Sequence, residues 1–281
     1  MKRTTALLAL LAALACVPGA FAQSDLSTQA PPQAGSSAPQ TADANAQKGR
    51  ALLDKMITAL GGQAYLQYTT KTEVGRGYGF YQGEPNSVGT RFWRFWKYPD
   101  KERVELTKKR DIIQIIVGDK GYETTYKGTA EIEPDVLRDT LRRRAHSLEI
   151  VLRQWLRDPG TQVFYDGTAL AEQKSCDSVT LLTKDNDSVT IFIDQITSLP
   201  VKRSFTYRDP VDNLKDQEGE SYANFRPIQG IVTPLTVTRT HNGLMTNQRF
   251  LTEVHYNVDI PDSQFNATVT YDPYKRSGPR H

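Results

Sequence analysis

Residues Gly89–Tyr122 read GTRFWRFWKYPDKERVELTKKRDIIQIIVGDKGY, and this stretch decides the fold. It holds two dense strand-forming runs. The first, aromatic and basic, ends at Pro99, which has no N–H for a central ladder. The second, Ile112–Val117, is closed by the turn-forming Gly118-Asp119-Lys120-Gly121. Strands of this kind can wall an apolar site. The segment lacks the acid, base and nucleophile that catalysis combines, so it points to a protein that holds an apolar ligand and away from an enzyme.

Upstream, Lys2 and Arg3, the apolar Ala6–Ala15 and the small-x-small Ala20-Phe21-Ala22 make the three parts of an export signal. A signal peptide over residues 1–22, cleaved after Ala22, directs the mature chain to the periplasm. The apolar run is shorter than the about 20 residues that span a bilayer. A rival reading starts from Cys16: the preceding Ala13-Leu14-Ala15 loosely resembles a lipobox, and lipidation there would tether the chain to the outer membrane. With the leader removed, Cys176 is left without a partner, so no internal disulfide is expected and a buried thiol is favoured over a catalytic one. Loss of Lys2 and Arg3 takes Lys+Arg from 35 to 33 against 32 Asp+Glu. A net charge of +1 gives no global drive toward nucleic acid, which is not expected as a partner.

Residues 23–46 are rich in Gln, Ser, Ala and Pro and carry almost no large apolar side chain after Leu26, the composition of a disordered linker. A helix is expected from about Ala46 to Leu60, where Leu52, Leu53, Met56, Ile57 and Leu60 recur at helical spacing and Gly61-Gly62 supplies the stop. Residues 47–270 form one domain, and 271–281 a C-terminal tail. From Tyr65 the apolar period becomes alternating. Strands are expected near 65–82, 89–98, 102–107, 111–117, 121–126 and 162–166, and again near 178–183, 188–193, 200–208, 219–225, 232–240, 247–256 and 268–271. Turn sequences such as Lys127-Gly128, Lys184-Asp185-Asn186-Asp187 and His241-Asn242-Gly243 separate them, which implies an antiparallel meander.

One long helix interrupts the series. After Glu133-Pro134-Asp135, residues Leu137, Leu141, Ala145, Leu148, Leu152 and Trp155 recur at spacings of four or three up to Asp158-Pro159-Gly160. The opposite face carries Arg138, Arg142, Arg143, Arg153 and Arg157, read as a solvated surface, with contact to lipid phosphate as the sharper alternative. The fold class that results is mainly β (α+β): a single large curved antiparallel sheet forming an incomplete barrel, its concave face covered by two or more helices.

Motifs for chemistry are missing. His146, His241, His255 and His281 show no HExxH or His-x-His spacing, and each is read as a surface or hydrogen-bonded residue, His146 on the polar side of the helix. No G-x-S-x-G elbow, P-loop or helix-entering G-x-G-x-x-G occurs. Gly75-Arg76-Gly77-Tyr78-Gly79 lies in strand-like sequence and reads as a bulge or a sharply curved strand. Asp185, Asn186 and Asp187 read as a hairpin turn in preference to a calcium site. No catalytic residue, metal or cofactor is expected.

The order of elements and several phrases resemble the periplasmic outer-membrane lipoprotein-sorting carriers (LolA/LolB-like). The phrases are Gly89 leading an aromatic strand to Lys97-Tyr98-Pro99, Arg103-Val104-Glu105, the Val117-Gly118-Asp119-Lys120-Gly121-Tyr122 turn, and Phe192-Ile193-Asp194 with Leu199-Pro200-Val201. YANFRPIQGIVTP from Tyr222 to Pro234 and Ile260-Pro261-Asp262-Ser263-Gln264-Phe265 continue it, so the resemblance covers about residues 46 to 268. It implies a half-open barrel with a helical lid that shelters acyl chains of lipoproteins or free lipids, in a monomer. It also implies an acyl cavity lined by Phe92, Trp96 and Tyr98 from the strand, faced by Leu148, Leu152 and Trp155 from the lid helix. The second reading is an envelope protein-interaction module on the same scaffold with its cavity collapsed. One departure stands out: the known carriers latch the lid with an arginine just before the strand-ending proline, where this chain has Tyr98, which offers one hydrogen bond and no charge.

Overall fold

A computed structural model describes residues 42–274; the leader, Cys16 and most of the linker lie outside the described residues. Helix α1, Ala42–Leu60, is followed by the short α2, Gln63–Gln67. A first run of strands comprises β1 Thr70–Tyr81, β2 Glu84–Pro85, β3 Thr90–Lys97, β4 Lys101–Leu106, β5 Ile112–Val117, β6 Lys120–Thr125 and β7 Gly128–Glu131. Helices α3, Pro134–Ala145, and α4, Leu148–Arg153, come next, with a 3₁₀ turn over Trp155–Arg157. The second run is β8 Gln162–Ala171, β9 Lys174–Leu182, β10 Ser188–Asp194, β11 Pro200–Arg208, β12 Lys215–Ile228, β13 Ile231–His241 and β14 Leu244–Tyr256.

These strands form one 14-stranded antiparallel sheet in the order β7-β6-β5-β4-β3-β1-β14-β13-β12-β11-β10-β9-β8, with β2 paired to β1 alone. Each run is a meander, and β14 returns to lie beside β1. The two margins, β7 and β8, are therefore consecutive in the chain, and the segment joining them carries α3 and α4. A connection between opposite margins of a curled sheet has to cross its mouth, and these helices do so.

Alternation assigns the faces of the first meander. Phe92 and Trp96 of β3 point to the concave side and are about 5% exposed, while Phe95 packs outward with Ile113, Ile115 and Val117 of β5. The chain after β14 crosses that outer side, where Ile260 and Phe265 complete a second small core. On the concave side α1 packs against β8, β9 and β13. Its Leu53, Met56 and Leu60 join Val163, Val179, Leu181 and Ile191 in the main core. Full burial of such side chains stabilises by roughly 1.5–3 kcal/mol each.

Several boundaries differ from the sequence expectation for physical reasons. α1 starts at Ala42, ahead of the expected Ala46, because Asn45 Nδ2 donates to the Tyr165 carbonyl (2.8 Å) and Oδ1 accepts from the Tyr165 N–H (2.8 Å). Residues near 65 are helical rather than extended, which turns Tyr65 and Tyr68 into the core. The single long helix is broken at His146-Ser147; Ser147 caps α4, its Oγ accepting from the Ile150 N–H at 3.4 Å. No strand forms at 268–271. Instead the Thr270 and Tyr271 N–H groups both donate to the Thr129 carbonyl and cover the outer side of β7. The glycine-rich part of β1 behaves as read: pairing with β14 slips between Val74 and Gly75.

At Gly75 a Cβ would stand 2.3 Å from the Phe250 carbonyl oxygen and 3.0 Å from the Phe92 ring. Backbone cannot yield there as a flexible side chain would. Gly75→Ala is therefore expected to destabilise the protein by about 2 kcal/mol, read as a lower urea midpoint with unchanged slope; an unaltered midpoint would show that the slip tolerates a side chain.

Candidate functional site

A cavity of about 880 Å³ lies between the concave face and the helices. Its apolar walls include Phe92, Val104, Leu106 and Ile116 from the first meander, Tyr222 and Val237 from the second, and Leu148 from α4. Of the residues expected to surround it, Phe92, Trp96 and Leu148 stand in its wall. Tyr98, Leu152 and Trp155 do not. Leu152, one turn beyond Leu148, is 1% exposed inside the main core, and Tyr98 packs against that core's edge. Trp155 falls after α4 has ended, where it meets the His146 ring edge-on at 5.3 Å.

The walls are not purely apolar, contrary to the trough suggested by the aromatic strand. Two groups of buried charges cross the concave face. In the first, Lys71 lies 2.9 Å from Glu73 and 3.2 Å from Glu149 of α4, and Arg94 lies 3.0 Å from Glu73 and 2.6 Å from Glu102. In the second, Glu220 receives Arg203 at 3.5 Å, Arg239 at 3.1 Å and Arg249 at 3.4 Å, while Arg143 of α3 lies 3.6 Å from Glu218. Burial would raise the Glu73 carboxyl pKa, but the charges of Lys71 and Arg94 outweigh it and hold it far below the usual range. Burial likewise opposes ionisation of Glu220, and Arg203, Arg239 and Arg249 overcome it. Lys71 is desolvated too, yet Glu73 and Glu149 raise its pKa well above the ordinary value.

The lid is pinned by its own arginines, so the reading of a uniformly solvated face is corrected. Arg153 is 5% exposed. Its guanidinium donates to the Tyr68 carbonyl (2.7 Å) and the Tyr65 carbonyl, and lies 4.0 Å over the Tyr68 ring and 5.1 Å over that of Tyr98. Gln154 Nε2 donates to the Tyr98 hydroxyl at 3.2 Å. A cation from the helix thus lies over Tyr98. Arg144 Nη1 donates to the Asp100 carbonyl (3.0 Å) and Nη2 to the Gly118 carbonyl (2.5 Å), tying α3 to two turns of the first meander. His146, placed by sequence on a polar helix side, is 4% exposed at the break between α3 and α4. Its ring stacks on Phe205 at 3.9 Å, with Nδ1 2.7 Å from the Arg142 carbonyl and Nε2 2.7 Å from Asp187.

Sequence reasoning missed the charge groups. Arg94 shares the inward parity of Phe92 and Trp96, and Glu218, Glu220 and Tyr222 alternate in step, so the signal was present as charges spaced by two. Cys176 is fully buried beside Ala171 and Val201, and burial raises its thiol pKa. Among the described residues no three His, Cys, Asp or Glu side chains are grouped to hold a metal ion.

No protein-family model matches the sequence, and no curated protein matches it. Solved structures do. A DUF1329 family protein from Desulfovibrio piger is 11% identical over 78% of this chain and 97% of its own, with a TM-score of 0.53. A domain from Vibrio parahaemolyticus, described as outer membrane lipoprotein-sorting, is 11% identical over 79% of this chain and 97% of its own, with a TM-score of 0.52. A LolA superfamily protein from Nitrosomonas europaea is 13% identical over 78% of this chain and 97% of its own, at 0.47. The chain shares the fold of the first two, an open half-barrel with an unclosed sheet and helices over its hollow side.

Two outcomes are expected of the site's interactions. Glu220 binds its proton less tightly folded than unfolded, so its stabilisation is complete above the ordinary carboxylate range, about pH 4, and drains away as pH falls below it. Glu220→Gln should cost about 3 kcal/mol at pH 7, and urea unfolding should show the gap from wild type narrowing toward pH 3; a constant gap would contradict the assignment. Arg153→Leu leaves two buried carbonyls without donors, at roughly 1–3 kcal/mol each. Hydrogen exchange should accelerate across residues 134–157 well beyond the rest of the chain, and uniform protection would mean that Arg153 does not fasten the lid.

Proposed function

We propose that this protein is a non-enzymatic periplasmic carrier that shelters the acyl chains of a lipid or lipoprotein in its half-barrel cavity, in the sorting of lipoproteins or lipids to the outer membrane. The observation that carries this reading is the 880 Å³ hollow with Phe92, Trp96 and Leu148 in its wall. Sites for small ligands run about 300–1,000 Å³, and each methylene moved out of water contributes about 0.8 kcal/mol. A long acyl chain therefore outweighs any single polar contact the site could make.

The charges favour holding over chemistry. Glu73, Glu102, Glu149 and Glu220 all have lowered pKa values, burial being outweighed by the cations paired with them, so none is poised to exchange a proton near neutral pH. The likeness to a domain described as lipoprotein-sorting supports the same class of role. The export-signal reading supports a periplasmic location, and no helix among the described residues is long and apolar enough to cross a membrane.

Native mass spectrometry of gently purified protein should reveal co-purified lipid, and a fluorescent fatty acid should bind and be displaced by unlabelled lipid. Val104→Trp, which fills the hollow from a partly exposed wall position, should weaken that binding at least about tenfold while the fold is kept. Absence of lipid, together with no displacement at micromolar ligand, would remove the proposal.

A further inference from the structure

The two charge groups on the concave face are unequal. At the α4 end, Lys71 and Arg94 face three carboxylates, Glu73, Glu102 and Glu149. At the α3 end, the close ion pairs of Arg143, Arg203, Arg239 and Arg249 go to two carboxylates, Glu218 and Glu220. Strand register builds this second group: Arg203 and Arg239 stand on either side of Glu220 across β11, β12 and β13, and Arg249 enters from β14. All four arginines line the cavity.

The surplus is also visible atom by atom. Arg203 is 3% exposed, and its Nε and Nη1 have no hydrogen-bond acceptor among the described residues. Nε of Arg143 and Nε of Arg249 are idle in the same way. Buried donors without acceptors are costly, and a guanidinium is matched best by an anionic oxygen. Burial, and next the positive charge of Arg239, lower the pKa of both Arg249 and Arg143 against the pull of Glu220 and Glu218, the sign of crowded cations.

We infer that the cavity's ligand is an amphiphile with an anionic head, a carboxylate or phosphate monoester, held by Arg143, Arg203, Arg239 and Arg249 while its chain runs along Phe92 and Leu106. This rests on the carrier reading and narrows it to acidic lipids. A neutral head would supply acceptors and no charge. A cationic head would be repelled. The carboxylate surplus at the α4 end turns an anion away from there, so the ligand has one orientation.

The test compares oleate, lysophosphatidic acid, oleyl alcohol, butyrate and inorganic phosphate as competitors of one fluorescent fatty alcohol, in wild type, Arg143→Gln and Arg203→Gln. Arg143 lies on the lid outside the sheet, so its variant keeps the test open should Arg203→Gln fail to fold. Oleate and lysophosphatidic acid are expected to compete about tenfold or more better than oleyl alcohol. In Arg143→Gln that preference should shrink severalfold, with oleyl alcohol unaffected. Equal competition by oleate, lysophosphatidic acid and oleyl alcohol, unchanged in the variants, would overturn the inference and leave the carrier reading standing. Competition by butyrate or phosphate as strong as by oleate would also overturn it, revealing a free-anion site. Failure of the fluorescent alcohol and of every long-chain competitor to bind would overturn both readings.

Discussion

The hollow of this protein depends on ions buried where a sheet of the same curvature would ordinarily be aliphatic. Lys71, Glu73, Arg94 and Glu102 share the concave face with Phe92 and Trp96, and Glu149 reaches them from the helix above. A wall of leucines could settle flat against the helices and expel all space. Charged groups resist that, because stripping their last solvent or partner costs several kcal/mol per ion. The lid therefore meets the sheet at defined ion pairs and stands away from it between them. Pairing keeps the groups ionised; crowding keeps them from collapsing.

Topology then places the lid. Because the margins β7 and β8 are neighbours in the chain, the residues joining them have to bridge the open side, and they are held at both ends of the bridge. Arg144 grips two turns of the first meander, Arg153 grips the backbone ahead of β1, and His146 meets the hairpin turn of β9 and β10 through Asp187. The break at Ser147 lets the two helical pieces follow the curve of the mouth. Meanwhile α1 fills the hollow against β8, β9 and β13, and the remaining space is walled by β1, β3–β5 and β11–β14.

Much of this was legible from sequence because strands alternate and turns carry Gly, Asn and Asp. The meander and the irregular pairing at Gly75 follow from local pattern; alternation put Phe92 and Trp96 on one face, and the family resemblance turned that face inward. The helix break was hidden because Leu141, Ala145, Leu148 and Leu152 keep helical spacing straight through it, and only Ser147 as a cap hints otherwise. The charge groups were hidden for another reason. Glu220 meets Arg203 from the strand before it and Arg249 from two strands after it, pairings set by register and closure of the sheet that no local periodicity displays. Tyr98 illustrates the same limit: Arg153 lies over its ring, a proximity that is a property of the fold alone.

An unclosed sheet this wide leaves unpaired backbone along two flanks, the usual template on which copies of a protein polymerise. Here each flank is blunted by a device outside the sheet. The Asn45 amide imitates a neighbouring peptide group at Tyr165, beside the irregularity that bends β8, and Thr270 and Tyr271 occupy the far rim at Thr129. The segments before and after the meanders thus act as selvedges, finishing a fabric that would otherwise fray into fibrils.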